Sequence, residues 1–290
     1  MPEPITNPMA DPLVELPDIS PTSQLVQIDA TEDGAVTVTM NRPARKNAFD
    51  AGLISALDEA FKDLQGAEGV RVIFLRGAGA TFSAGADLDW MRAAVDASEA
   101  DNREDAMALA VMLKRLWDLP ALTVALVEGA AFGGGAGLAA ACDMAVAVRD
   151  ARFSFAEVKL GLIPATISPY VVATIGPRAA RALFATGAVF DAAEAHRIGL
   201  VSELAEDAAG LEAAQARIAR DIMACAPGAV TAAKQLALDV YGRDIDHGLL
   251  EETARRIAHT RVSEEGQEGV RAFLERRKPA WAAGDILPGT

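Results

Sequence analysis

The chain has 290 residues, 51% of them apolar but only 5% aromatic, so it is long enough to bury a sizeable core built mostly of Ala, Val, Leu and Ile. A net charge of −14 argues against nucleic acid and anionic membrane as partners, while a local basic cluster, Arg42, Arg45 and Lys46, still admits a small anionic ligand. No apolar run approaches the ~18 residues that span a bilayer, no secretory leader is visible, and Cys142 and Cys225 suggest neither a disulfide framework nor a metal cluster, which makes the cytoplasm the expected compartment.

Residues 1–22 carry Pro2, Pro4, Pro8, Pro12, Pro17 and Pro21 among scattered acids, a composition that predicts a disordered tail. Apolar runs at 25–28 and 35–40 flank Asp33-Gly34, a hairpin signal, and Asn41-Arg42-Pro43 ends the second strand. Leu53, Ile54, Leu57, Phe61 and Leu64 stand at helical spacing and predict a helix over 50–64. A strand at 70–76 leads into a glycine- and alanine-rich loop over 77–89. A helix over 101–116 is stopped by Asp118-Leu119-Pro120.

The run 122–127 reads as a buried strand. Gly129, Gly133, Gly134, Gly135 and Gly137 follow, then the helix-forming run 138–141. The pattern is strand, glycine turn, and a helix whose first turn is glycine. Such a helix start offers free amides and the positive end of the helix dipole to negative charge; packing alone would also account for the glycines. No Gly-Lys-Ser/Thr follows, and Leu138 occupies the place of a third fingerprint glycine, so a developing oxyanion suits the turn as well as a phosphate does.

Strands at 143–148 and 152–155 and a loop over 157–164 come next, followed by helical patterns at 168–185, 192–198, 208–240 and 247–274, the last running into the basic segment 275–278 and Pro279. The reading divides the chain into a tail (1–22), a core of ββα-like units (23–205) and a helical C-terminal region (206–290). Those helices are weakly anchored on their own, which points to packing against another subunit. His196, His247 and His259 fall on polar helical patterns without metal spacing. Trp90 and Met91, which follow the glycine- and alanine-rich loop, either line a ligand passage or cap a core.

Four segments in this order resemble the enoyl-CoA hydratase/isomerase (crotonase) superfamily: Asn41-Arg42-Pro43-Ala44-Arg45-Lys46-Asn47-Ala48, Phe82-Ser83-Ala84-Gly85-Ala86-Asp87-Leu88, Ala131-Phe132-Gly133-Gly134-Gly135, and Ala156-Glu157-Val158-Lys159-Leu160-Gly161-Leu162-Ile163-Pro164. The likeness spans roughly residues 23–282. It implies an α/β fold, a crotonase-like spiral of ββα units with two roughly perpendicular sheets, and a helical C-terminal trimerisation region. It also implies an acyl-CoA thioester as partner, with coenzyme A as part of the substrate and no separate cofactor, and a homotrimer or dimer of trimers.

By motif match the backbone amides of Ala86 and Gly134 would form an oxyanion hole, and Glu157 would move the proton at the carbon beside the thioester. Lys46, Ala48, Ala84, Gly85, Asp87, Leu88, Asp89 and Gly133 would lie along the CoA thioester, with Arg45 or Lys46 near its phosphates. Phe155, Ala156, Val158 and Leu160 around Glu157 are apolar, which would raise the pKa of a carboxyl held there.

Two departures stand out. Hydratases of the type member's kind carry a second Glu two residues after the third glycine, where this chain has Gly137. The segment after Pro164, Ala165-Thr166-Ile167-Ser168-Pro169-Tyr170, replaces a glycine-rich turn. Glu128, Asp87 and Asp89 are substitutes for the missing carboxylate on sequence proximity alone. In both departures the chain resembles bacterial methylglutaconyl-CoA hydratases of leucine breakdown. Three readings follow: a hydratase, an isomerase with Glu157 as sole proton shuttle, and an acyl-CoA binding protein without turnover.

Overall fold

The computed structural model describes residues 24–282; the tail expected at 1–22 lies outside them. Nine strands fall into two sheets among the described residues. The larger runs β1 (Val26–Ala30), β2 (Ala35–Met40), β3 (Val72–Gly77), β4 (Leu122–Val127), β6 (Met144–Val148) and β9 (Glu203–Ala205), in that order. β1 and β2 form the expected antiparallel hairpin, and every other pairing in this larger sheet is parallel. The smaller sheet holds β5 (Ala130–Phe132), β7 (Arg152–Ser154) and β8 (Val189–Asp191).

Burial follows position in the sheet. β2 alternates, with Val36, Val38 and Met40 inside, whereas β3 and β4 are apolar on both faces, as central parallel strands must be. Helix α1 (Ala51–Gly66) starts where the Asp50 carboxylate accepts the Leu53 amide at 2.8 Å, and it turns Leu53, Ile54, Leu57, Phe61 and Leu64 into the core. Helix α2 (Leu88–Asp96) begins inside the stretch expected to be loop, with Asp87 as its N-cap. Helix α3 (Glu99–Trp117) packs on α1 and carries a Ser98–Asp101 capping box. Helix α4 (Gly134–Ala141) is the short buried helix that follows the glycine turn.

The remaining helices are α5 (Ser168–Thr186), α6 (Ala192–Arg197), α7 (Ala208–Met223), α8 (Pro227–Val240), α9 (His247–Val262) and α10 (Glu264–Glu275). Two expected helices are each divided. The pattern over 208–240 breaks because Pro227 lacks an N–H and forces Ala226 into an extended conformation, so α7 ends and α8 begins afresh with proline at its first position. The pattern over 247–274 breaks at Ser263, which is extended and whose hydroxyl caps α10 by accepting the Gly266 amide at 3.1 Å. Gly176, with φ of 74°, followed by Pro177, bends α5.

Few side chains of α8–α10 are buried; Leu249 and Ala272 are exceptions. Polar ties hold this region to the core instead. Lys234 Nζ donates to the carbonyls of Leu119 and Ala121 and pairs with Asp143 at 2.7 Å, and Arg71 donates to the Ile222 and Cys225 carbonyls at the end of α7. Meanwhile Tyr241, Ile245, Val262, Phe273 and Leu274 stand exposed. No described helix is long and apolar enough to cross a membrane.

Candidate active site

Asn47 joins the first two motif segments. It is fully buried; its Nδ2 donates to the carbonyls of Ala78 and Thr81 at 2.9 and 2.6 Å, and its Oδ1 accepts the Arg42 amide at 2.9 Å. Its own carbonyl accepts the Ser83 hydroxyl at 2.8 Å, and the Lys46 carbonyl accepts the Ala84 amide at 2.9 Å. Beyond them Phe49 clasps the next bend, its N–H donating to the Gly85 carbonyl at 2.7 Å and its carbonyl accepting the Asp87 amide at 2.8 Å. A parallel bridge of this kind uses the groups flanking Ala86, so the N–H and C=O of Ala86 itself point away from Phe49.

The third segment joins through Ser83, whose N–H donates to the Ala130 carbonyl and whose carbonyl accepts the Phe132 amide. The two bends then meet. A Cβ placed on Gly85 would lie 3.1 Å from the Phe132 carbonyl oxygen and 3.9 Å from the Gly133 nitrogen. Gly133 has φ of 49° and ψ of −118°, a conformation that residues with a Cβ avoid, and its N–H donates to the Ser154 carbonyl at 2.9 Å. The turn opens α4 so that Gly134 is its first residue, and the Gly133 carbonyl receives its helical bond from Gly137. The Gly134 amide thus belongs to the first turn, which has no intrahelical acceptor. Ala84, Gly85, Ala86, Gly133 and Gly134 are therefore brought to one place.

Glu157 arrives from the other side. Strand β7 ends at Ser154, and a single 3-10 turn, Glu157–Leu160, starts after Phe155 and Ala156. A Cβ on Gly133 would meet Glu157 Oε1 at 3.3 Å, so the carboxyl faces the glycine turn. Its Oε2 is buried and has no hydrogen-bond partner. Burial pushes the carboxyl pKa up, opposed by a hydrogen bond from its own backbone. The hydroxyl of Ser154, also buried, likewise has no partner, and nothing in the sequence singled that residue out.

Gly137 is more tightly crowded, and by hydrocarbon. A Cβ there would fall 2.2 Å from Ile167 Cγ2 and 2.7 Å from Ile167 Cβ. The two departures noted in the sequence are thus one contact: the residue that replaces the glycine-rich turn fills the space above the residue that lacks the second carboxylate.

The basic cluster is divided. Arg42 turns inward, its side chain 14% exposed, donating to the Ala48 carbonyl and pairing with Asp50 at 2.7 Å and Asp87 at 3.2 Å. Arg45 pairs with Asp89 at 3.0 Å on the surface, and Asp89 also binds Arg92. Lys46 is exposed at the end of a 3-10 turn, and its ammonium makes no ion pair among the described residues. A hydrogen bond from the Asp89 amide, and then Arg42 and Arg45, hold the Asp87 carboxyl below the usual carboxylate range.

The three carboxylates considered as substitutes do not join Glu157. Asp87 is committed to Arg42, Asp89 to two surface arginines, and Glu128 to Arg76 at 3.6 Å beside a separate cavity lined by Asp29, Thr37 and Gln215. Leu88 is 64% exposed at the start of α2. Trp90 donates its indole N–H to Asp105 at 3.1 Å and borders a cavity of about 610 Å³ shared by α1 and α3. His196 Nδ1 contacts the Val201 carbonyl at 2.9 Å, a local structural bond.

The family model described as enoyl-CoA hydratase/isomerase matches residues 30–284. A Thermus thermophilus protein assigned as an enoyl-CoA hydratase is 36% identical over 251 residues, which make up 86% of this chain and 98% of the relative. A solved structure from Legionella pneumophila, assigned as an enoyl-CoA hydratase/isomerase (crotonase), is 46% identical, with a TM-score of 0.85 over 89% of this chain and 99% of its own. The structure of an enoyl-CoA hydratase from Shewanella pealeana is 37% identical, with a TM-score of 0.86 over 91% of this chain and 98% of its own.

Proposed function

The chain belongs to the enoyl-CoA hydratase/isomerase family, and on that premise we propose that it adds water across the α,β double bond of an acyl-CoA thioester. The observation that carries this reading is the Glu157 carboxyl, set against the glycine turn with one buried oxygen unpartnered. In the ionised form it takes a proton from water as the water oxygen bonds to the β-carbon. The double-bond electrons move onto the thioester oxygen, and the same carboxyl returns the proton to the α-carbon. The N–H groups of Ala86 and Gly134 receive the oxygen as it becomes negative; a single preorganised donor of this type is worth about 3 kcal/mol or more. A raised pKa suits a group that must both take and give a proton near neutrality.

Lys46 faces the CoA phosphates, and Ala48, Ala84, Gly85, Asp87, Leu88, Asp89 and Gly133 run along the pantetheine and thioester; Arg45 shares its charge with Asp89. Coenzyme A enters as part of the substrate. The exposed apolar side chains of α9 and α10, with Phe273 and Leu274 foremost, support assembly into a homotrimer or a dimer of trimers.

A specific feature favours a second reading, double-bond isomerisation. With Ile167 over Gly137, no second carboxyl side chain comes from α4, and moving a double bond needs one proton carrier. A substrate with its own carboxylate, of the methylglutaconyl type, would help hold water and restore hydration. A panel of enoyl-CoA esters tests all three: hydration bleaches the conjugated thioester absorbance and adds the mass of one water. Isomerisation of a 3-enoyl-CoA in D2O places deuterium in the chain without that gain. Equal rates on plain and carboxylate-bearing esters remove the methylglutaconyl detail, and no product from any ester leaves binding alone.

A further inference from the structure

We infer that Arg42 is a positioning residue for the amide of Ala86: it holds the carboxylate of the next residue, Asp87, against the start of α1 and so fixes where the Ala86 N–H points. The inference rests on the reading of that amide as an oxyanion donor. Three acceptors converge on this one guanidinium, the Ala48 carbonyl, Asp50 at 2.7 Å and Asp87 at 3.2 Å. They come from both sides of the joint: Ala48 and Asp50 flank Phe49, which bridges to Ala86, and Asp87 follows Ala86 directly.

Phe49 restrains the bend through backbone bonds to Gly85 and Asp87, which set its separation from the first segment. Those two bonds do not by themselves fix rotation of the bend about the line joining them. Arg42 restrains that motion, because the Asp87 carboxylate it grips is also the cap of α2, accepting the Asp89 amide at 2.8 Å. Asp87 is 5% exposed, so removing Arg42 takes away the charged partner of a nearly buried carboxylate, and the bend rearranges to bring that carboxylate to other donors or to water. A lysine offers one point charge where the three acceptors need a planar fork, so charge alone does not replace it.

The test uses the full-length protein with cinnamoyl-CoA as probe, whose conjugated thioester absorbs further to the red when its carbonyl oxygen is hydrogen-bonded. R42M should lower kcat by about 10–100-fold, the scale of a misplacement of about an ångström, with KM changed by no more than about threefold, and should lose most of the red shift. R42K should recover only part of either. D87N should reproduce R42M, and the double variant should be no worse than the poorer single, because both break one contact. Thermal melts establish that each variant is folded at the assay temperature; should R42M not fold, D87N carries the same measurement.

Wild-type kcat and red shift in folded R42M, or in D87N if R42M does not fold, overturn the inference and leave Arg42 a fold-stabilising residue. Absence of a red shift in the wild-type protein would instead bring down the oxyanion reading itself.

Discussion

Gly133, which caps α4, and Gly137, one turn into that helix, meet opposite surroundings. Gly133 faces a carboxyl group with one oxygen that has no hydrogen-bond partner, and Gly137 faces the close-packed side chain of Ile167. A buried polar atom left unpaired costs about 1–3 kcal/mol, whereas hydrocarbon packed at contact distance stabilises the fold. The first turn therefore sacrifices stability to keep a reactive group poised, and the second spends its space on packing. Chemistry and cohesion lie side by side on one short helix.

Replacing Glu157 breaks the comparison at its reactive end. E157Q should lower kcat about 10²–10⁴-fold, followed as loss of enoyl thioester absorbance, while substrate binding survives. A variant with full turnover would remove Glu157 from the mechanism. The packed end yields a stability effect instead. G137A drives a methyl into Ile167 and should cost about 1–3 kcal/mol in denaturant unfolding, and the same substitution made on an I167A background should cost much less. An equal cost on both backgrounds would mean that the contact is not what makes Gly137 necessary.

The pH dependence sharpens the contrast. In the proposed mechanism Glu157 works as the ionised base, so kcat/KM should fall on the acid side with an apparent pKa above the ordinary glutamate range, and that limb should vanish in E157Q. Stability moves with the opposite sign. A carboxyl whose folded pKa is raised binds more protons folded than unfolded, so stability falls as pH climbs from the unfolded value through the folded one. E157Q should therefore melt higher than the wild type near neutrality, a gap that closes once both states of the wild type are protonated. A gap independent of pH would assign the effect to packing.

What the sequence disclosed followed the range of the forces concerned. The hairpin around Asp33-Gly34, helix α1 and the glycine turn were legible because short-range periodicity and glycine placement write them directly. Strands β5 and β8 were not: each is three residues long and exists through pairing with β7 rather than through its own composition. The break at Pro227 had a local signal that helical periodicity on either side obscured, and Asp87 hid the start of α2 because it also belongs to a loop motif.

For the candidate site, motifs were enough to propose Ala86, Gly134 and Glu157, but side-chain direction could not be read from them. Arg42 looked like a partner of Arg45 and Lys46 until its acceptors were visible, and Glu128 looked like a neighbour of the site while facing Arg76. Likewise nothing local links Ile167 to Gly137; their contact belongs to the packing of α5 over α4.

The joint at Asn47 carries a liability of another kind. Its side chain gives two N–H bonds to carbonyl oxygens and takes one from a backbone amide, a combination that, at its size, only a primary amide supplies. Hydrolytic deamidation to aspartate would set an anion against the carbonyls of Ala78 and Thr81 and unpick the seam between two segments at once. Burial shields the amide for as long as the native state persists, so covalent ageing should proceed through rare openings, and any ligand that keeps the seam closed should lengthen the protein's shelf life.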